Sequence, residues 1–405
     1  MCKPSRRNFV EITLADEGVV HSPFRAGFGK SPPVLVGRER LVREFSQAIA
    51  TGEWSQSRVS LIRGIRGVGK TVALNCLERI AAQRGWKVVS LTATPGFFKR
   101  IVDQELPRIL DVIDPKRTTR VSKIGIAGVF DISTESLNKA PIGEDFRSQM
   151  RRINDQLAPA GQGILFTLDE VHTSAIADMR QFASELQHAI RTDWEVAFVG
   201  AGLHASIADL LREESLTFLR RAASVHLDLL QFDEVEDALA GPIRLAGRDI
   251  EVSALDYAAR ATQGYPFLVQ LIGDLAWKAN PAEKVISEAD VRLAFATARL
   301  SMGANIFQPA IADLSPAEVE VLTAMSVDDG PSRAVDLRSR LGKDSNWLNQ
   351  YRRRLENSGA IFSVGRGLTD ISMPFLREYL RENITDRAAS DIAAARAFFP
   401  PPPPL

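Results

Sequence analysis

The stretch Gly64-Ile65-Arg66-Gly67-Val68-Gly69-Lys70-Thr71 constrains what this chain can fold into more than any other segment. It reads G-x-x-x-x-G-K-T. Glycines at this spacing let the backbone curl until successive N–H groups point into a concavity the size of a phosphate. Lys70 then reaches the outer phosphates of a nucleotide, and Thr71 offers its hydroxyl to a magnesium ion. A helix starting at the lysine adds the positive end of its dipole. Such a loop must sit between a strand and a helix, and the flanks comply. Val59, Leu61 and Ile62 form an apolar run before it, and an amphipathic stretch over 71–82 follows. Gly64, Gly67, Val68, Gly69, Lys70, Thr71 and Val72 are the candidate nucleotide-binding residues.

A nucleotide loop of this kind needs an acidic partner on another strand. Gly163-Ile164-Leu165-Phe166-Thr167-Leu168-Asp169-Glu170 is an apolar run ending in two acids. Asp169, at the carboxyl end of the strand, is placed to hold magnesium through water. Glu170, one residue further, can polarise a water aimed at the terminal phosphate. The pair Asp-Glu favours hydrolysis over inert storage of nucleotide. His172 can sense the terminal phosphate or orient Glu170, although a solvated loop histidine is the simpler reading.

From Val34 onward short β-branched runs alternate with helical periods, the signature of parallel βαβ units. Strands are expected over 58–63, 87–91, 163–168, 195–200 and 225–229, and helices over 71–82, 96–112, 145–157, 175–191 and 204–211. The period lapses between Pro115 and Pro141, where 122–132 reads as an inserted hairpin. After Leu230 strands stop and helices are expected over 233–245, 253–261, 266–279 and 287–300. Beyond Leu314 three more helices (316–325, 334–341, 345–358), an alternating two-stranded stretch over 361–372 and a helix over 375–382 are expected. At 405 residues the chain exceeds one ordinary core. The plan is an arm (1–32), an α/β core (33–230), a helical region (231–308), a C-terminal module (309–385) and a tail (386–405) ending in Pro400 to Pro404.

Composition excludes several classes. Lys plus Arg and Asp plus Glu both number 50, so no global field attracts nucleic acid or an anionic membrane. Two cysteines, Cys2 and Cys76, give no disulfide framework, and the five histidines show no metal-ligand spacing. No segment is long and apolar enough for a bilayer, so a soluble cytoplasmic protein is expected. Cys76, Trp86, Trp194 and Trp277 read as packing residues.

These motifs resemble the AAA+ and STAND superfamily of P-loop ATPases, in particular bacterial ATP-binding proteins with an origin-recognition-type ATPase core. The likeness runs from about residue 32 to about 382. It implies an α/β fold with the parallel sheet of P-loop NTPases (the AAA+/ASCE type), an α-helical lid, and ATP and Mg²⁺ as cofactors. The loop and the Asp169–Glu170 pair are similar to the Walker A and Walker B motifs. Val34-Leu35-Val36-Gly37-Arg38-Glu39 looks like the group's opening motif, which implies Gly37 and Arg38 on the adenine side. Gly264-Tyr265-Pro266 is similar to the Gly-x-Pro of STAND lids, which implies Pro266 at the nucleotide. Phe218-Leu219-Arg220-Arg221 falls where AAA+ proteins place an arginine finger, so Arg221, or failing that Arg220, is implied as a catalytic residue beside Lys70 and Glu170. Two departures imply slow or conditional hydrolysis. The fourth strand ends in apolar Phe198-Val199-Gly200-Ala201-Gly202 instead of a polar sensor, and no arginine lies beside Gly264-Tyr265-Pro266.

The C-terminal module looks like a winged helix-turn-helix, with 334–341 and 345–358 as its helix pair. Gly342-Lys343-Asp344 makes the turn, and Ser345 or Asp344 caps the second helix. Trp347, Leu348, Tyr351 and Leu355 should face inward, leaving Asn346, Asn349, Gln350, Arg353 and Arg354 outside. Between Arg333 and Arg366 the basic residues Arg333, Arg338, Arg340, Lys343, Arg352, Arg353, Arg354 and Arg366 outweigh Asp336, Asp344 and Glu356, a local net charge of +5. That charge suits duplex phosphates, with Arg352, Arg353, Arg354 and Arg366 as the candidate contacts; an intramolecular packing module is the alternative. The expected function is a magnesium-dependent ATPase acting as a conformational switch, with nucleotide between core and lid. The alternatives are a DNA-binding regulator in which turnover is incidental and an ATP-gated oligomerising scaffold. Double-stranded DNA, a further copy of the chain or a protein client are the expected partners, and a membrane is not.

Overall fold

In a computed structural model of the chain the described residues are 21–27, 36–54, 57–113, 145–312 and 314–383. The expected hairpin over 122–132, Cys2, Val34, Leu35 and the proline tail lie outside them. The chain divides into two compact units, one of residues 38–64 and 70–227, the other of residues up to 37, 65–69 and from 228 on. The loop motif thus leaves the first unit at Gly64 and re-enters it at Lys70.

The first unit is an α/β structure on five parallel strands: β1 (Val59–Arg63), β2 (Lys87–Thr92), β3 (Ile164–Asp169), β4 (Val196–Gly202) and β5 (Ala223–His226), in the order β2-β3-β4-β1-β5. Its helices are α1 (Glu39–Thr51), α2 (Lys70–Gln83), α3 (Phe97–Arg100), α4 (Leu106–Ile113), α5 (Phe146–Leu157), α6 (Ile176–Arg191) and α7 (His204–Arg212). A parallel strand covered on both faces reads as an unbroken apolar run, and β4 is buried along its whole length. It extends to Gly202, past the expected end at 200, because Gly202 still pairs with Arg63 of β1. Since the strands run the same way, their carboxyl ends share one edge, which collects the residues after β1 and β3.

Aromatic rings hold the helices to the sheet. Phe182 of α6 meets Phe97, Phe166 and Phe198 edge to face at 6.0, 5.4 and 5.1 Å, each such pair worth about 1 kcal/mol beyond its buried area. The helix expected over 96–112 carries a π-helical turn at Ile101–Glu105. Ile101 and Leu106 are both fully buried; five residues apart, they share a face only across this wider turn. Cys76, Trp86 and Trp194 are buried here, as is Trp277 in the second unit.

The second unit has one continuous apolar core. Its helices are α8 (Phe232–Leu245), α9 (Val252–Thr262), α10 (Pro266–Ala279) and α11 (Glu288–Met302), and three of them start at local signals. Gln231 with Glu234 and Ser287 with Asp290 form capping boxes, and Pro266 opens α10 at its first position. Strands do not stop at 230: β6 (Asp249–Ile250) and β7 (Val285–Ile286) form a parallel pair, each too short to leave an alternating signature. Phe24 of the N-terminal segment is buried against α10, where a Cβ on Gly273 would lie 2.5 Å from its ring.

The same core continues through α12 (Gln308–Ala312), α13 (Pro316–Ser326), β8 (Ser332–Arg333), α14 (Ala334–Leu341), α15 (Ser345–Ser358), β9 (Ile361–Gly365) and β10 (Leu368–Ile371). The last three strands form an antiparallel sheet in the order β8-β10-β9. Helix resumes at 376, one residue past the expected start, because Phe375 takes φ +65. Among the described residues no helix is long and apolar enough to cross a membrane.

Candidate functional site

The loop after β1 is curled. Gly67 and Gly69 take φ +77 and +97, values that L side chains rarely adopt, and Val68 between them is buried. Where the loop re-enters the α/β unit, the Lys70 ammonium donates to the Gly64 carbonyl at 3.1 Å. One residue on, the Thr71 hydroxyl donates to Asp169 Oδ2 at 2.5 Å, across 98 residues of sequence. The two residues expected to manage a metal therefore meet as a pair of hard oxygens, the donor set magnesium takes alongside water and phosphate. A second contact fixes this one. Glu78, two helical turns beyond Thr71, accepts from Thr167 Oγ1 at 2.5 Å and Ser90 Oγ at 2.7 Å. Thr167 lies two residues before Asp169, on the same face of β3, so α2 is fastened to β3 at two points. Thr71, Asn75, Glu78, Ser90, Arg100 and Asp169 line a cleft of about 290 Å³.

Glu170 is the outlier of the site. It takes φ +54, in the left-handed region. Before it, the Asp169 carbonyl accepts the Ala93 N–H at 2.9 Å; after it, the Val171 N–H donates to Ala201 at 2.8 Å. Both neighbours are held by the sheet, so the intervening residue kinks and Glu170 is exposed. Its N–H donates to Asp169 Oδ1 at 2.8 Å, which orients the carboxylate toward Thr71. His172 instead caps the short turn after it, its Nδ1 meeting Ser174 N at 3.2 Å and Oγ at 2.7 Å.

The two arginines before β5 separate. The Arg220 guanidinium donates to the carbonyls of Leu211, Arg212 and Glu213 at 2.8, 3.2 and 3.2 Å, closing the end of α7. Arg221 is exposed. Gly37 takes φ +73, and a Cβ there would lie 2.8 Å from Leu230; Arg38 is buried and precedes α1. Val72 lies half-buried in α2, and Pro266 half-buried at the head of α10.

Sequence reasoning passed over Tyr265. It is 3% exposed, and its hydroxyl donates to the Arg66 carbonyl at 3.3 Å. A Cβ on Gly67 would lie 1.8 Å from that hydroxyl. Burial pushes the phenol up to about 12, against a smaller downward pull from Arg66. No local pattern announces a contact between residues 199 positions apart. Glu78 did leave a signal, an acid on the face of α2 that carries Thr71.

In the C-terminal module Asp344, not Ser345, caps α15, accepting from Trp347 N at 2.8 Å. Leu348 and Leu355 are buried, but Trp347 and Tyr351 are only half so. Their rings meet at 4.5 Å, tilted by 50°, with Lys343 over the Trp347 ring and Arg354 over the Tyr351 ring. Both rings pack against the core of the unit and carry a cation on the side left open. Arg353, Arg354 and Arg366 are exposed and Arg352 is half-buried. The +5 overstates the charge on offer, because Arg340 is paired with Asp328, just outside the counted window.

Residues 34–223 match the family model described as AAA ATPase domain. Residues 304–380 match one described as Domain of unknown function (DUF8462). No curated protein matches the sequence. Among solved structures the chain is similar to a Walker-type ATPase of Pyrococcus abyssi, with a TM-score of 0.58 and 17% identity over 86% of this chain and 96% of that one. It is also similar to the ORC2 protein of Aeropyrum pernix in its ADPNP–ADP complexes, with a TM-score of 0.56 and 17% identity over 90% of this chain and 98% of that one. At that identity the likeness is one of fold: an α/β structure with the five-stranded parallel sheet of a P-loop NTPase.

Proposed function

We propose that this protein is a magnesium-dependent ATPase that works as a slow, nucleotide-driven switch. The observation that carries the reading is the Thr71 hydroxyl on the Asp169 carboxylate, beside an exposed Glu170 held out by a left-handed kink. Loop amides and the Lys70 ammonium, turning from the Gly64 carbonyl, take the phosphates. Thr71 and Asp169 would hold magnesium, which neutralises phosphate charge when bound. Glu170 accepts the proton of the attacking water. The exposed Arg221 is left to meet developing charge, most simply from a neighbouring copy, because Arg220 is engaged at α7. Gly37, Arg38 and Pro266 are assigned to the base side. The wholly buried, apolar β4 offers no polar side chain at its end, which accords with slow turnover.

Two variants test this. Lys70→Ala is expected to weaken MgATP binding at least tenfold. Glu170→Gln is expected to bind MgATP as the natural chain does while phosphate release falls about a hundredfold. Unchanged release from Glu170→Gln removes that residue from the chemistry.

A second reading, favoured by the exposed Arg353, Arg354 and Arg366, couples nucleotide state to duplex DNA through 316–372 acting as a winged helix.

A further inference from the structure

Tyr265 stands on a rigid base. Its own N–H donates to the Thr262 carbonyl at 2.9 Å, and the preceding Gly264 carbonyl accepts the Leu230 N–H at 2.8 Å. Gly264 takes φ +72, and a Cβ there would lie 2.1 Å from the Leu230 carbonyl oxygen, so this corner between α9 and α10 admits little else. Pro266 then starts α10 with its φ already set. The partner is the reverse: a glycine-rich loop apex whose shape its own torsions leave open. The tyrosine therefore sets the position of the loop.

A trans peptide points its carbonyl and the following N–H in opposite directions. Holding the Arg66 carbonyl against Tyr265 turns the Gly67 N–H away from the tyrosine. We propose that Tyr265 is a positioning residue for the phosphate loop: its hydroxyl anchors the Arg66 carbonyl so that the Gly67 amide is preset to meet an incoming phosphate. This rests on the nucleotide reading above and deepens it. The phenol remains a donor across the physiological range, since burial pushes it up to about 12. Phenylalanine at 265 keeps the ring packing and removes only the anchor.

The test uses the full chain and its Tyr265→Phe variant, with MgADP as ligand in calorimetry and MgATP in steady-state turnover. Loss of one hydrogen bond predicts about a fivefold rise in the MgADP Kd. KM should rise by a similar factor with kcat within about twofold, because Lys70, Thr71 and Glu170 are intact. Amide exchange of the peptide covering 64–70 should be faster in the nucleotide-free variant. Equal affinity and equal exchange in the two proteins overturn the proposal, as does a lowered melting temperature with affinity unchanged, which marks Tyr265 as packing alone. If the natural chain itself binds no MgADP, the nucleotide reading fails and this inference with it. If the natural chain binds and Lys70→Ala does not, a silent Tyr265→Phe sinks the inference alone.

Discussion

Glu170 holds a backbone conformation that costs a non-glycine residue about 1 kcal/mol, and it does so where the acidic pair meets the loop helix. The cost is imposed by the strand pairings on either side, which leave one residue too many between Asp169 and Val171. Glycine carries no such penalty. Glu170→Gly is therefore expected to raise unfolding stability by about 0.5–1 kcal/mol in urea titrations while ATP turnover falls below a tenth of normal. A variant both less stable and less active would show that the kink is not strained. Asp169-Glu170 is readable as a candidate site from its place after an apolar run; its kink is not, because φ here is decided by hydrogen bonds from Ala93 and to Ala201.

At the level of elements, the C-terminal module shows how charge that looks available is consumed. The end of α13 is gripped by three arginines. Arg340 donates to the Ala324 carbonyl at 2.9 Å and to Asp328 at 2.7 Å, Arg377 to the Met325 carbonyl at 2.8 Å, and Arg381 to the Asp328 carbonyl at 2.9 Å and Asp329 at 2.8 Å. Cations at a helix C-terminus satisfy its last carbonyls and its dipole. The Arg340 hydrogen bond holds the Asp328 carboxyl below the usual carboxylate range, against the upward push of desolvation. A lowered pKa stabilises the folded form above the ordinary aspartate range, and that contribution fades as pH falls through the depressed value. Asp328→Asn is thus expected to cost about 2 kcal/mol at pH 7, with the gap to the natural chain closing below about pH 4, followed by the fluorescence of Trp347. A gap independent of pH would assign the loss to shape. Helix bounds here were legible to within a residue, since caps and periods are local. The partners of Arg340, Arg377 and Arg381 were not, because Asp328 and Asp329 reach them only after the chain has turned.

For the whole molecule, the division into units cuts through the loop motif: residues 65–69 belong with the helical unit that carries Tyr265, while Gly64 and Lys70 belong with the sheet. If the second reading holds, Arg353, Arg354 and Arg366 give about three phosphate contacts, so the logarithm of duplex affinity should fall against the logarithm of salt with a slope near −3. The Arg353→Ala/Arg354→Ala pair should flatten that slope by about 2, read from fluorescence anisotropy at two or more salt concentrations in MgATP and MgADP. No measurable duplex binding at low salt would leave the proposed ATPase without this coupling.

The amino-acid sequence alone determined the glycine-rich loop, the strand that runs out into Asp169 and Glu170, the alternation that makes a parallel sheet, and the caps that start several of the helices. Each depends on torsions and periods within a few residues, which the chain carries wherever it folds. Tertiary structure alone decided that Thr71 meets Asp169, that Arg220 closes α7 while Arg221 stays exposed, that Arg340 is paired, and that Tyr265 leans on the loop. These are pairings between groups far apart along the chain, and which donor reaches which acceptor is settled only when packing of the core brings them within hydrogen-bonding distance.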